Sequence, residues 1–265
     1  MTTPVIELVG VEKAFRGVPV LRGVDLAIQA GQTCTILGGS GSGKSVCLKH
    51  MIGLMQPDRG HVRVDGEDVT GLSEVGWVAL RRDFGFVFQG AALFDSLSVL
   101  ENVAYPIREH LDWTEDQVRA RVAESLEAVG LSGIERLLPA ELSGGMRKRV
   151  GVARAIALSP RVILYDEPTT GLDPANSRRI GELIQQLQHD LDVTSVVVTH
   201  DLDLCFRISD RVALLRAGTI VLDGAASELA DRSAPELQRF LEGTEPLPPA
   251  WTEPDDPKQE RHSDG

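Results

Sequence analysis

The eight residues Gly38-Gly39-Ser40-Gly41-Ser42-Gly43-Lys44-Ser45 constrain this chain more than any other stretch. They follow a β-rich run, Gln32-Thr33-Cys34-Thr35-Ile36-Leu37, and lead into helical spacing from Lys44 to Met55, which predicts a glycine-rich turn between a strand and a helix. Glycines let the backbone wrap until successive N–H groups point inward, and the helix that follows adds its positive N-terminal end. Such a cradle suits phosphate. Gly38, Gly39, Ser40, Gly41, Ser42, Gly43 and Val46 are expected to line it, Lys44 to reach the β- and γ-phosphates of a nucleotide, and the Ser45 hydroxyl to ligate Mg2+.

A second element has the complementary chemistry. Val162-Ile163-Leu164-Tyr165-Asp166-Glu167 is an apolar strand ending in two carboxylates. Asp166 suits the Mg2+ shell, and Glu167 is free to orient or deprotonate a water attacking the γ-phosphate. Acidic pairs at strand ends are also common as solvated turn residues; the neighbouring cradle is what raises this pair above that reading.

Around these motifs, the first thirty residues alternate apolar runs (5–11, 18–21 and 24–28) with the turn residues Gly17, Pro19 and Gly23, a pattern of antiparallel strands. Another strand is expected at Val62 and Val64, before the tight turn Asp65-Gly66. From about Gly90 to Leu158 helical spacing takes over, with Thr114 and Gln117 as a capping-box pair ahead of Val118, Val122, Leu126 and Val129. The run Thr194 to Thr199 then joins Val162 to Tyr165 as strands buried on both faces, with a helix from Asn176 to Leu191 between them. After Leu241, five of the 14 prolines and seven acids against two bases mark a tail expected to be partly disordered. The expected division is one domain over 1–243, with a helical subdomain at about 90–158, and a proline-rich acidic tail over 244–265.

With 42% apolar and 25% charged residues in 265, the chain has enough material for a full core. Its net charge of −12 argues against nucleic-acid binding, because affinity for a phosphate backbone comes from Lys and Arg displacing counterions. The start, Met1-Thr2-Thr3-Pro4, lacks the basic and apolar regions of a secretory signal, and no stretch approaches the roughly 20 apolar residues of a membrane-spanning helix. Cys34, Cys47 and Cys205 fit a reduced cytosolic protein without a disulfide frame.

Between the cradle and the acid pair lies Leu142-Ser143-Gly144-Gly145-Met146-Arg147-Lys148-Arg149, followed by an expected helix from Val150 to Leu158. With this third motif the chain resembles the nucleotide-binding subunits of ABC transporters over about residues 5–240. The resemblance implies an α/β fold, a P-loop NTPase of ABC type, whose RecA-like mixed sheet core carries an antiparallel β subdomain and an inserted helical subdomain. It implies ATP and Mg2+ as ligands and ATP hydrolysis as the activity. Lys44, Gln89, Glu167 and His200 become the expected catalytic residues. Phe15 resembles the aromatic that stacks on adenine, with a core position as the competing reading. Gln89 resembles the Q-loop glutamine, which senses Mg2+ and water; with Ser45 and Asp166 it completes the expected metal set. Ser143, Gly144 and Gly145 resemble the signature that binds the γ-phosphate from the opposite subunit, Asp173 the D-loop aspartate at that interface, and His200 the switch histidine. Met146 stands where glutamine is commonest, but it does not supply the phosphate-binding N–H groups.

Ser143-Gly144-Gly145 before a helix is itself an anion site, and one chain cannot easily turn it toward its own cradle. A head-to-tail dimer with two nucleotides at the interface is therefore expected. The stretch from Gln89 through Phe94-Asp95-Ser96-Leu97 to His110, with Glu141 to Met146 and Arg239-Phe240-Leu241-Glu242-Gly243, resembles the ATPase of the Mla and related Mce-type lipid transporters. That resemblance implies a permease dimer, an Mce-domain lipid-binding protein, sometimes a STAS-domain protein, and phospholipid moving between inner and outer membranes. It also gives Leu247 and Trp251 of the tail a packing role against the partner ATPase. The apolar loop from Ala91 to Val99, with Leu93, Phe94 and Leu97, is the expected permease seat; internal core of the helical subdomain is the competing reading. A chain at −12 is repelled by the anionic cytoplasmic leaflet, so it is expected at the cytoplasmic face of the inner membrane through the permease, with no direct lipid binding. Other transported substrates, a soluble ABC-type ATPase acting on DNA or the ribosome, and a non-hydrolysing adaptor are the rivals. The second lacks its coiled-coil insertion or second cassette here, and the third is disfavoured by Glu167.

Overall fold

Two-residue turns with positive φ begin the architecture. In the computed structural model, which describes residues 3–242, β1 (Ile6–Phe15) and β2 (Val18–Ile28) form a hairpin closed by Arg16 and Gly17, at φ 51° and 81°. The sequence pattern placed a turn at Gly23, but β2 runs straight through it. Val24 pairs with Val11 and Arg22 with Glu12, so Gly23, at φ 84°, is absorbed as a bulge. After β3 (Thr33–Leu37) and α1 (Lys44–Met51), β4 (Arg59–Val64) pairs antiparallel with β1, and β5 (Glu67–Asp68) pairs with β4. The order of this first sheet is β2-β1-β4-β5.

The helix α1 stops at Met51, short of the expected Met55. Gly53 takes φ 63° and its N–H donates to His50 O, while Leu54 N–H donates to Lys49 O, the paired bonds of a Schellman cap. A side chain could not fit there, since a Cβ on Gly53 would lie 2.1 Å from the Trp77 ring.

The chain continues through α2 (Glu74–Leu80) and β6 (Phe84–Val87). Residues 90–158 then hold α3 (Val99–His110), α4 (Glu115–Ala128), α5 (Gly144–Ile156) and no strand. Capping boxes start α3 at Ser98/Glu101 and α4 at Thr114/Gln117. The helix α5 begins at Gly144, earlier than the expected Val150, because the Ser143 hydroxyl accepts from Met146 N–H and caps it. Val103, Ile107, Val118, Val122, Leu126 and Val150 pack these three helices into one apolar core, which Ile180 and Ile184 join from further along the chain.

The second sheet completes the fold with β7 (Val162–Asp166), α6 (Pro174–Leu191), β8 (Thr194–Thr199), α7 (Leu202–Ile208), β9 (Arg211–Arg216), β10 (Thr219–Ala225), α8 (Ala226–Leu229) and α9 (Pro235–Leu241). The helix α6 starts at Pro174 rather than Asn176, because Asp173 caps it and proline suits its first turn. The strand order is β10-β9-β3-β8-β7-β6, with β10 antiparallel to β9 and the remaining pairs parallel. Every residue of β3, β7 and β8 is buried, as continuous apolar strands covered on both faces require. The tail, including Leu247 and Trp251, lies outside the described residues.

Candidate nucleotide site

The cradle, His200 and the acid pair meet because their strands are neighbours. Leu37 of β3 pairs with Thr199 of β8, and Val198 of β8 with Asp166 of β7. Three loops thus leave the carboxyl edge of the sheet side by side, where open parallel sheets hold ligands.

Gly38 opens the cradle in a space closed to any side chain, since a Cβ there would lie 2.5 Å from Leu215 O. Gly43, at φ 107°, is the N-cap of α1 and supplies no side-chain cap, and the first turn carries no acid. The leading N–H groups of α1 are therefore left for an anion. Lys44 is 6% exposed; its Nζ donates to Gly38 O (2.8 Å) and Gly39 O (2.9 Å) and lies 3.2 Å from Glu167 Oε1. The buried Ser42 hydroxyl has no hydrogen-bond partner. A buried ammonium, an orphaned hydroxyl and a wrapped main chain fit a polyphosphate.

Across from Lys44, the Ser45 hydroxyl donates to Asp166 Oδ1 at 2.7 Å. Burial raises the Asp166 carboxyl above its usual range, the Ser45 hydrogen bond partly offsets that shift, and the like charge of Glu167 adds to it. A hydroxyl and a carboxylate are hard oxygen donors and fit Mg2+. Among the described residues no cluster of three or more His, Cys, Asp or Glu could hold a metal ion.

Glu167 is 8% exposed and gathers the site. Its Oε2 lies 2.9 Å from His200 Nδ1 and accepts from the Thr170 hydroxyl at 3.3 Å, while Oε1 faces Lys44. Its own backbone is left-handed at φ 47°, with the N–H donating to Val198 O. The carboxylate is thus buried but partnered at both oxygens.

Phe15 is 42% exposed at the end of β1, which overturns the core reading. With Val20, Gly41, Gly43, Lys44, Ser45 and Val46 it lines a cavity of about 300 Å³ beside the cradle. Gln89 is exposed just past β6, and its main-chain carbonyl accepts from Lys148 Nζ. Among the described residues no hydrogen bond joins its side chain to Ser45 or Asp166. Among the described residues no hydrogen bond joins Ser143, Gly144 or Gly145 to the cradle of the same chain. A Cβ on Gly145 would lie 3.1 Å from Asn176 Oδ1 and one on Gly144 3.7 Å from Leu172, so the motif sits against the start of α6. There Asp173 Oδ1 accepts from Asn176 N–H at 2.9 Å, which holds its carboxyl below the usual range.

Sequence reasoning missed Lys148. The sequence gives it no role within the run Arg147-Lys148-Arg149, yet it is 7% exposed and directed at the site; helical spacing from the buried Gly145 and Val152 was the available signal. The apolar loop divides. Leu93 packs against the core, whereas Phe94 is 44% exposed and stacks at 5.0 Å on Tyr105. Phe94, Tyr105, Pro106, Phe86 and Phe88 line a groove of about 450 Å³ between β6 and α3.

A family model described as ABC transporter matches residues 21–170. The chain is 40% identical over 238 residues to the probable ribonucleotide transport ATP-binding protein mkl of Mycobacterium leprae, covering 90% of this chain and 69% of that one. It is 39% identical over 220 residues to the intermembrane phospholipid transport system ATP-binding protein MlaF of Escherichia coli, covering 83% of this chain and 82% of that one. A solved dimeric ATP-binding cassette, in a post-hydrolysis state bound to ADP and Pi, matches with a TM-score of 0.78 at 33% identity, covering 83% of this chain and 98% of that one.

Proposed function

The chain belongs to the ABC transporter family and is an ABC-type ATPase; from that premise we propose that it hydrolyses ATP at a head-to-tail dimer interface to power phospholipid transport. The observation that carries the hydrolytic reading is the convergence of Lys44, Glu167 and His200 within hydrogen-bonding reach, beside the Ser45–Asp166 pair. When ATP enters, Lys44 exchanges Gly38 O, Gly39 O and Glu167 for β- and γ-phosphate oxygens, and the N–H groups from Gly39 to Val46 take the remaining charge. Phe15 stacks on the adenine in the adjoining cavity.

Release of Lys44 frees Glu167 to hold a water and accept its proton as the oxygen attacks the γ-phosphorus; the bond to the β-phosphate oxygen breaks, giving ADP and phosphate. His200, on the second carboxylate oxygen, steadies that geometry and reaches the γ-phosphate. Ser45 and Asp166, with Gln89, would hold Mg2+, which would supply neutralisation of phosphate charge. Ser143, Gly144 and Gly145 of a second copy close the γ-phosphate from the far side, with Asp173 at the interface. The same dimer places this chain's motif over its partner's cradle.

The phospholipid assignment is supported by the likeness to a phospholipid-transport ATPase; the likeness to a protein named for ribonucleotide transport is the competing one. The groove with Phe94 and Tyr105 is the proposed permease seat. Among the described residues no helix is long and apolar enough to cross a membrane, and with a net charge of −12 we place the chain at the cytoplasmic face of the inner membrane through its permease. Affinity purification from native membranes in mild detergent, with mass spectrometry of proteins and lipids, tests this. A permease, an Mce-domain protein and bound phospholipid are the expected companions, with or without a STAS-domain protein; a different permease with a nucleotide- or amino-acid-binding protein overturns the substrate.

A further inference from the structure

Among the described residues, the hydrolytic scheme leaves one buried lysine unused. Lys148 sits in the second turn of α5, 7% exposed, and its Nζ donates to Gln89 O and, at 3.4 Å, to Glu167 O. These two carbonyls lie just past the ends of neighbouring strands, since Val87 of β6 pairs with Tyr165 of β7. One ammonium therefore bridges the loop that leaves β6 and the loop that carries the acid.

Both loops have backbone that needs holding. Glu167 is left-handed at φ 47°, and Ala91 and Ala92 take φ 63° and 47°, a region that side chains rarely adopt and that persists only where surrounding contacts fix it. Along α5, Lys148, Gly151 and Arg154 are spaced by three and share a face. Gly151 lets Ala91 approach, since a Cβ there would lie 3.1 Å from the Ala91 Cβ. Arg154 donates to Ala91 O at 2.7 Å and Ala92 O at 2.8 Å. The row grips three carbonyls of the Gln89–Ala92 loop, and Lys148 alone extends that grip to Glu167.

We infer that Lys148 is a positioning residue of ATP hydrolysis, tying the main chain of Glu167 to the Gln89 loop so that the placement of the helical segment sets the placement of the carboxylate. The chemistry explains the residue type. An ammonium offers three donors and no acceptor, so it satisfies two carbonyls without competing for the Glu167 carboxylate oxygens, which Lys44, Thr170 and His200 occupy. A shift of the acid by an ångström is costly to turnover and costs nucleotide affinity little, because the cradle is built elsewhere.

This inference rests on the ATPase reading, and the experiment separates the two. ATPase kinetics and equilibrium binding of ATP are measured on the full-length wild type, K148M and K148Q. For K148M, kcat is expected to fall about tenfold to a hundredfold, with KM and the ATP dissociation constant within about twofold of wild type. K148Q, which keeps two N–H donors on a shorter side chain, recovers part of the loss. Wild-type kcat in K148M, or a loss of ATP affinity as large as the loss of kcat, overturns the positioning role. Should K148M fail to fold, K148Q alone must still lower kcat at unchanged KM, and a wild-type kcat there overturns the role. A wild type without ATPase activity sinks the ATPase reading itself.

Discussion

The chain builds two glycine-led helix starts, and it equips them differently. At α1 the N-cap is Gly43, no side chain competes for the leading N–H groups, and Lys44, Ser45, Asp166, Glu167 and His200 converge within a few ångströms. At α5 the N-cap is Ser143, whose hydroxyl takes the Met146 N–H, and the surroundings are Leu172 and Asn176. Neither first turn carries an acid, although those of α2, α3, α4, α7, α8 and α9 do. Both ends thus favour an anion through their dipole, yet only one has chemistry around it. An anion-ready helix end whose nearby cation, Arg147, is turned onto Leu142 O is half of a site, and in the proposed dimer its other half is the partner's cradle.

The largest effect bears on the equipped end. Glu167→Gln is expected to lower turnover by about 10²- to 10⁴-fold, the range for loss of a general base, and to accumulate an ATP-bound dimer on size exclusion; phosphate release at the wild-type rate removes Glu167 from its role. Next is a direct attempt to break the comparison. Lys44→Ala disables the cradle, and Gly145→Asp plugs the α5 end with its own carboxylate, so each variant alone is expected to be inactive. Mixed in equal amounts, they should recover about a quarter of wild-type activity, because half the dimers then carry one intact composite site of two. No recovery means that both motifs serve the same chain's nucleotide.

Smaller effects sharpen the picture. Asp173→Ala removes the cap of α6 and is expected to cost about 1 kcal/mol, read as a drop of roughly 2–4 °C in Tm; a larger loss of turnover than of stability marks the interface role. Smallest is a test of the core. Burial pushes the thiols of Cys34, Cys47 and Cys205 up to about 12. At pH 8 this leaves a thiolate fraction roughly a thousandfold below that of a free cysteine, so thiol reagents should label the native chain only as it opens, and prompt labelling of any one of them contradicts the packing.

Much of this was legible in the residues themselves. The strands β3, β7 and β8 could be read because burial on both faces leaves a continuous apolar run, and the cap at Thr114 because it acts within one turn. Gly23 misled because a glycine with positive φ is the same in a turn and in a bulge; only the β1 register decides between them. The end of α1 depended on Trp77, 24 positions after Gly53, and so was invisible locally. Within the site, Lys44, Glu167 and His200 were legible by motif. Lys148 was not, since its burial depends on Gln89 and Glu167, 59 and 19 positions away.

The adjacency of β3, β8 and β7 has a metric consequence. Their separation is fixed by main-chain hydrogen bonds, two strand spacings amounting to ~9.6 Å, so the interval between the cradle and the acids is ruled off by the backbone and not by the size of any side chain. Exchanges of apolar residues beneath it should weaken the protein well before they change that interval. The population of damaged variants then divides into two sorts: unstable molecules that still turn over normally while folded, and stable molecules that are inert because one of a few edge residues is gone.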